Sequence, residues 1–411
     1  MADRNRSHSP SRAVSPTRAA GRGLGRRAAA LLAAAACALA AAGCGGGGAE
    51  PAAQSPRPVE RGPVKADRPG LPGMPPLLDA RDVYAADRPG KLAPQVKSYP
   101  SRIYVPNTGS DTVSVIDPKT YKVTETIPVG IQPQHVVPSW DMKTLWVNNN
   151  RGHDLTPIDP ATGKAGKKVE VHDPYNLYFT PNGKYAVVMA SMDRQLVFRD
   201  PHTMEVRKTV PVSCAGVNHA DFSADGRYFI VSCEFSGELL KVDTEKMKVV
   251  GQQRLPFDGA MPQDVKVSPD GRTWYIADMM ADGVWVLDGD RFGRPKLLPT
   301  GKGAHGLYVS RDSKVMYISN RGEGTISLLD FGTGKLVGRW HIPGGGSPDM
   351  GGLSADGKVL WLSGRYHSEV YALDTRTGRT LAKIPVGQGP HGLAVYPQPG
   401  RYSLGHTGIF R

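Results

Sequence analysis

The chain has 411 residues, of which 51 are Lys or Arg and 38 Asp or Glu, a formal charge of +13. Apolar residues make up 39%, enough for a sizeable core, which excludes a wholly disordered chain; four Cys exclude a disulfide-rich scaffold. The excess charge is concentrated at the N-terminus, where residues 1–43 hold seven Arg and one Asp, so the basic balance gives no reason to expect a nucleic-acid partner.

In chain order, Arg4, Arg6, Arg12, Arg18, Arg22, Arg26 and Arg27 precede an apolar run, Ala28 to Ala42, that ends in Gly43-Cys44. A basic stretch, a short apolar stretch and a small-residue exit are the parts of a secretory signal. The run is shorter than the roughly 20 residues a bilayer-spanning helix needs. The exit "LAAAGC" resembles the lipobox of bacterial lipoproteins, with Ala41 where that family usually has Leu. The resemblance implies acylation of Cys44 and an extracytoplasmic protein on a lipid anchor; plain signal cleavage and secretion is the alternative. Residues 44–100, with "GGGG" at 45–48 and "RPGLPGMPP" at 68–76, read as a disordered Gly/Pro-rich tether. Within it, "LLDARDVYAADRPGKLAP" (77–94) is varied enough to pack along a domain flank.

From residue 101 the chain repeats. An Asp ending a short alternating apolar run recurs as Asp117, Asp159, Asp200, Asp243, Asp288, Asp330 and Asp374. The period is about 43 residues. A turn of Asp-Gly type recurs six times, as in "SADG" (223–226) and "SPDG" (268–271). Each unit reads as four strands; in one, these are 264–268, 273–278, 283–288 and 294–300. The marker Asp opens the turn between the third and fourth strands, where its carboxylate can accept a backbone N–H. This pattern predicts an all-β, seven-bladed β-propeller over 101–411, with a short C-terminal tail. The first unit starts at a second strand, "RIYVPN" (102–107), and its missing first strand is supplied by "HGLAVYP" (391–397). The C-terminal strand therefore closes the ring against the N-terminal blade.

The units "DTVSVIDPKTYKVTETIPVG" and "PQDVKVSPDG", with "YVPN" and "YIAD" beside them, resemble the YVTN-repeat β-propeller family over roughly 101–397. That superfamily includes lactonase-like hydrolases, the haem domain of cytochrome cd nitrite reductases and cell-envelope proteins. The resemblance lies in scaffold motifs and implies the fold, not an activity.

In a propeller the first strands line the channel, and ligands favour the face where those strands begin. Aligning the starts gives two rungs. One holds Gln134, Tyr175, Asn218, Gln263, His305, Asp349 and His391; the next holds His135, Asn176, His219, Asp264, Gly306, Met350 and Gly392. The exits of the second strands add Asn149 and Asp278, and the residues just beyond them add Glu234, Arg321 and Arg365. Imidazoles, carboxylates and guanidiniums at one mouth suit a ligand site for a small molecule or an envelope protein. The candidates are thus His135, His219, His305, His391, Asn149, Asn176, Glu234, Asp264, Asp278, Arg321, Asp349 and Arg365. A metal ion at His135 and His219 is compatible with this set. No cofactor is implied, since phosphate loop, HExxH, GxSxG and CxxCH haem motifs are absent.

Cys214 and Cys233 fall on one face of one sheet, where an oxidising compartment favours a disulfide. Free thiols, or a thiolate metal site with His219 and Glu234, are the alternatives. The expectation is an exported, lipid-anchored, monomeric binding module. An enzyme using the same mouth (lactonase-like hydrolase or metal-dependent oxidoreductase) and a structural envelope protein without ligand are the rival classes.

Overall fold

A computed structural model describes residues 70–406 and 408–411. The expected signal sequence, Cys44 and the first part of the expected tether lie outside the described residues. Among the described residues no helix is long and apolar enough to cross a membrane.

Seven antiparallel sheets of four strands form the ring of a β-propeller. Blade one is composite: Ala394–Tyr396 pairs with Arg102–Asn107, through Arg102↔Tyr396, Ile103↔Val395 and Tyr104↔Ala394. This is the closure read from the repeat register, and it removes the open edge that a linear array would leave. The other six blades run in chain order from inner strands Pro133–Pro138, Pro174–Phe179, Val217–Phe222, Pro262–Val267, Ala304–Val309 and Pro348–Leu353.

The repeat markers are turn devices. All seven marker Asp carboxylates accept backbone N–H groups two or three residues on, from Lys119 at Asp117 to Arg376 at Asp374. In the turns between first and second strands, a Ser or Thr hydroxyl donates to the Asp or Asn two residues later, as at Ser223–Asp225 and Ser354–Asp356. Such local bonds pin the turn and hence the strand register.

The core lies between neighbouring blades. Ile103, Val105 and Ile116 of blade one, for example, pack with Trp361, Val370 and Ala372 of blade seven. Each sheet therefore buries both faces against its neighbours, which explains why second and third strands read as nearly continuous apolar runs.

Two segments cover the face carrying the first-to-second-strand turns. Of the stretch expected to be a tether, residues 70–100 are packed there. The Leu71 N–H donates to Asp225 O at 2.7 Å, the Val83 N–H to Pro269 O at 2.8 Å, and the Tyr84 hydroxyl to Val267 O at 2.7 Å. Burial of Leu71, Val83, Tyr84 and Val96 offsets the chain entropy that the Gly and Pro content alone would have left unopposed. The C-terminal tail enters the channel from the same face. Leu404 O accepts the Phe179 N–H, and the His406 N–H donates to Leu177 O, both at 2.9 Å. Arg411 pairs with buried Asp221 at 2.9 Å and lies over the Tyr84 ring at 4.5 Å.

Candidate functional site

The two rungs aligned from sequence coincide with a repeated irregularity. Pairing of the inner strand with its neighbour breaks between Pro133 and Val136, Pro174 and Asn176, Val217 and Ala220, Pro262 and Val265, Ala304 and Leu307, and Pro348 and Gly351. These are β-bulges, which release side chains from strict alternation and re-aim them. Gln134-His135, Asn218-His219, His305-Gly306 and Asp349-Met350 sit inside them, so consecutive residues can both turn toward the channel. Gly306 has no room for a side chain: a Cβ there would meet the Tyr308 hydroxyl at 2.4 Å.

The channel floor is a cluster of five imidazoles. His135 lies with its ring centroid 4.8 Å from His391, 5.4 Å from His406 and 5.5 Å from His219. His219 and His406 are 4.9 Å apart, and His305 and His391 5.9 Å. All five are buried. Burial disfavours the imidazolium, so His135 is held down to about 3 and the other four well below the ordinary histidine value. The floor is therefore a set of neutral rings offering lone pairs.

Hydrogen bonds orient these rings. His135 Nδ1 stands 2.9 Å from Tyr175 O, which requires the proton on Nδ1 and leaves the lone pair on Nε2. His391 Nδ1 is likewise paired with Gln134 Oε1 at 3.1 Å. The Asn176 amide donates to Nδ1 of both His219 and His406, at 3.2 and 3.0 Å. His406 Nε2 lies 3.5 Å from Asp264 Oδ1. The Nε2 atoms of His135 and His219 are buried without a hydrogen-bond partner.

Above this floor, Asp349 collects the positive groups of the mouth. Its Oδ1 is 3.0 Å from His305 Nδ1 and 3.1 Å from an Arg321 nitrogen; its Oδ2 is 3.7 Å from His391 Nε2 and 4.0 Å from an Arg365 nitrogen. Burial raises the Asp349 pKa, against the two guanidiniums that lower it. With His305 neutral, that contact is a hydrogen bond rather than an ion pair. Glu234 accepts from Asn218 Nδ2 at 2.9 Å and is also raised by burial. Arg365 keeps 24% of its side chain exposed, and Tyr175 and Glu234 are half-buried, so these residues border solvent at the end opposite the tail.

The structure thus brings together His135, His219, His305, His391, Asn176, Asp264, Asp349, Arg321, Arg365 and Glu234. It does not bring Asn149 or Asp278 to the mouth. Asn149 Nδ2 donates to Asp154 and, at 2.8 Å, to Thr156 within its own blade. Asp278 Oδ1 accepts the N–H groups of Met261, Met280 and Ala281, each at 3.0 Å, and its Oδ2 accepts Trp285 Nε1. The cause is strand alternation: the exit residue turns back into the sheet, and the next residue turns to the mouth. Asn107 and Asn320 repeat the arrangement, donating to Thr112 and Ser114 and to Thr325 and Ser327. Asp264 mainly joins inner strands, accepting the N–H groups of Val265 and Leu307 at 2.9 Å.

His406 escaped the sequence reading. It lies outside the repeat, so alignment of blades could not place it. The signal available was a tail, "RYSLGHTGIF", apolar enough to need burial. Cys214 and Cys233 form a disulfide across blade four, with Cα atoms 6.0 Å apart, and are not ligands of the floor.

The YNCE-like β-propeller family model matches residues 84–400. The uncharacterized protein YncE of Salmonella typhi is 23% identical over 251 residues, 56% of this chain and 68% of the relative; YncE of Salmonella typhimurium matches equally. Among solved structures, Kuenenia stuttgartiensis hydrazine synthase superposes with a TM-score of 0.59 at 20% identity, covering 71% of this chain and 97% of that chain. A functionally unknown protein from Desulfotomaculum acetoxidans gives 0.59 at 15% identity, with 72% and 98% covered. The dihydro-heme d1 dehydrogenase NirN in complex with DHE gives 0.54 at 15% identity, with 78% of each chain covered. At these identities the structural likeness is one of fold alone. The chain belongs to the YNCE-like β-propeller family.

Proposed function

We propose that the protein is an exported, lipid-anchored binding module whose ligand rests on the histidine floor of the propeller channel. One observation carries this reading. Five neutral imidazoles converge in a channel plugged at one end by the chain's own tail, and two of their nitrogens are buried with no partner. A buried polar atom left unpaired costs about 1–3 kcal/mol, so the floor gains from a bound species that supplies the missing contact. Packing alone would favour apolar residues at these positions. Export and anchoring are supported by the Arg-rich start, the Ala-rich run and the "LAAAGC" sequence ending at Cys44.

Native mass spectrometry of the protein purified from its own host, without chelator, tests the reading. A retained ligand mass is expected, reduced in His135→Ala. A bare chain, whose melting temperature is also unmoved by panels of metal ions, organic anions and amines, would contradict it.

A further inference from the structure

We propose that the floor is a site for a late first-row divalent cation of the zinc or copper class, held by His135, His219 and His406. The inference rests on the binding reading above and names its ligand class. The candidate ligand atoms of these three residues all lie within 4.8 Å of one another. Two nitrogens bound tetrahedrally to one ion at about 2.1 Å stand about 3.4 Å apart, so rotation of the imidazoles must close the site by up to about 1.4 Å at its widest. The His135 Nδ1 contact with Tyr175 O is the outer-shell bond that metal-bound histidines make, fixing both tautomer and ring orientation. Its Nε2 and that of His219 are the two orphaned nitrogens. An all-imidazole set selects zinc or copper over calcium or magnesium, which require oxygen donors.

A second triad, His305, Asp349 and His391, has equally close ligand atoms. It is the poorer cation site. Arg321 and Arg365 already balance the Asp349 charge, and their guanidiniums would face the ion. The first triad instead has a carboxylate beside it, with Asp264 Oδ1 at 3.5 Å from His406 Nε2.

Asn176 sets the unloaded state. Its Nδ2 lies 3.2 and 3.0 Å from Nδ1 of His219 and His406, a donor that favours the proton on Nε2 of each ring, and it also donates to Asn218 O at 3.1 Å. Ligation through Nε2 moves each proton to Nδ1 and calls for an acceptor at residue 176. Asn176 is therefore a positioning residue, and Asn176→Asp, which offers two carboxylate oxygens, tightens cation binding. His406 reaches the site only because the tail is seated through Leu404, His406 and Arg411, so the site is complete only when the plug is in place.

The test is calorimetric titration of Zn2+ into the exported protein after chelator stripping, with the visible spectrum of the Co2+ form as a second readout. A single site is expected. Its affinity should fall at least about tenfold in His135→Ala and in His406→Gln, and rise in Asn176→Asp. It should be unchanged in His153→Ala, which breaks the surface stack of His153 on His172 at 4.3 Å. No Zn2+ binding to wild type, or binding lost in His153→Ala and kept in His135→Ala, overturns the inference. Should His135→Ala not fold, the Co2+ spectrum of wild type decides: nitrogen-ligated cobalt supports the site, and the spectrum of hydrated cobalt overturns it. An organic ligand found by native mass spectrometry without metal would overturn this inference and leave the binding reading standing.

Discussion

His406 of the C-terminal tail and His219 of blade four face each other with ring centroids 4.9 Å apart at 74°, sharing one amide donor, Asn176. A segment outside the repeat thus completes a cluster built by the repeat. The tail is part of the fold rather than an appendage. Tyr402, Leu404 and Ile409 join the core packet of blades three and four, and Phe410 that of blades one and two.

The first prediction concerns the bond that seats this tail. Arg411 and Asp221 are paired at 2.9 Å with both side chains nearly fully buried. Removing one partner of a buried pair leaves an uncompensated charge. Asp221→Ala should therefore cost about 3–5 kcal/mol in denaturant unfolding. A loss below about 1 kcal/mol would show that the tail is not held by this pair.

The Cys214–Cys233 disulfide closes a loop with a sequence separation of 19. A loop of that size constrains the unfolded chain by about 3 kcal/mol. Reduction, or Cys214→Ala with Cys233→Ala, should lower the melting temperature by several degrees. Two alkylatable thiols in protein isolated without reductant would contradict the pairing.

Asp87 gives a pH signature. It is buried beside Arg311, with Arg411, Arg88 and Asp82 also acting on it, and burial pushes its pKa up to about 7. A carboxyl raised in the folded state holds its proton longer than in the unfolded chain. Its contribution to stability therefore falls as pH rises from about 4 to about 7. Relative to Asp87→Asn, wild type should lose on the order of 2–4 kcal/mol between pH 4 and pH 8. Parallel pH profiles for the two proteins would refute the assignment.

Export chemistry is tested at Cys44. A fatty-acid analogue should label wild type and not Cys44→Ala. Equal labelling of both, or of neither, removes the lipid anchor from the account.

The fold was legible because the blade repeats its punctuation. Asp117 and its six counterparts mark one turn per blade, and the offset between "RIYVPN" and "HGLAVYP" gives the closure. Four of the five floor histidines were legible for the same reason, since first-strand starts align. Asn149 and Asp278 were misplaced because a one-residue step in a strand reverses the face, and which residue of a strand's last pair turns outward is set by the turn that follows. His406 was hidden because its position depends on tertiary pairing of the tail with Leu177 and Phe179, which no local pattern encodes. Packing of 77–94 was legible from its apolar residues, such as Val83 and Tyr84, whereas that of the flanking residues 70–76 and 95–100 was obscured by a composition that suggests a free chain.

The most direct test of the site is anomalous diffraction at the zinc absorption edge from crystals of chelator-stripped protein reloaded with Zn2+. The account predicts one strong peak in the channel, about 2.0–2.1 Å from a ring nitrogen of each of His135, His219 and His406. No peak in the channel, or a peak confined to the surface pair His153 and His172, would contradict it.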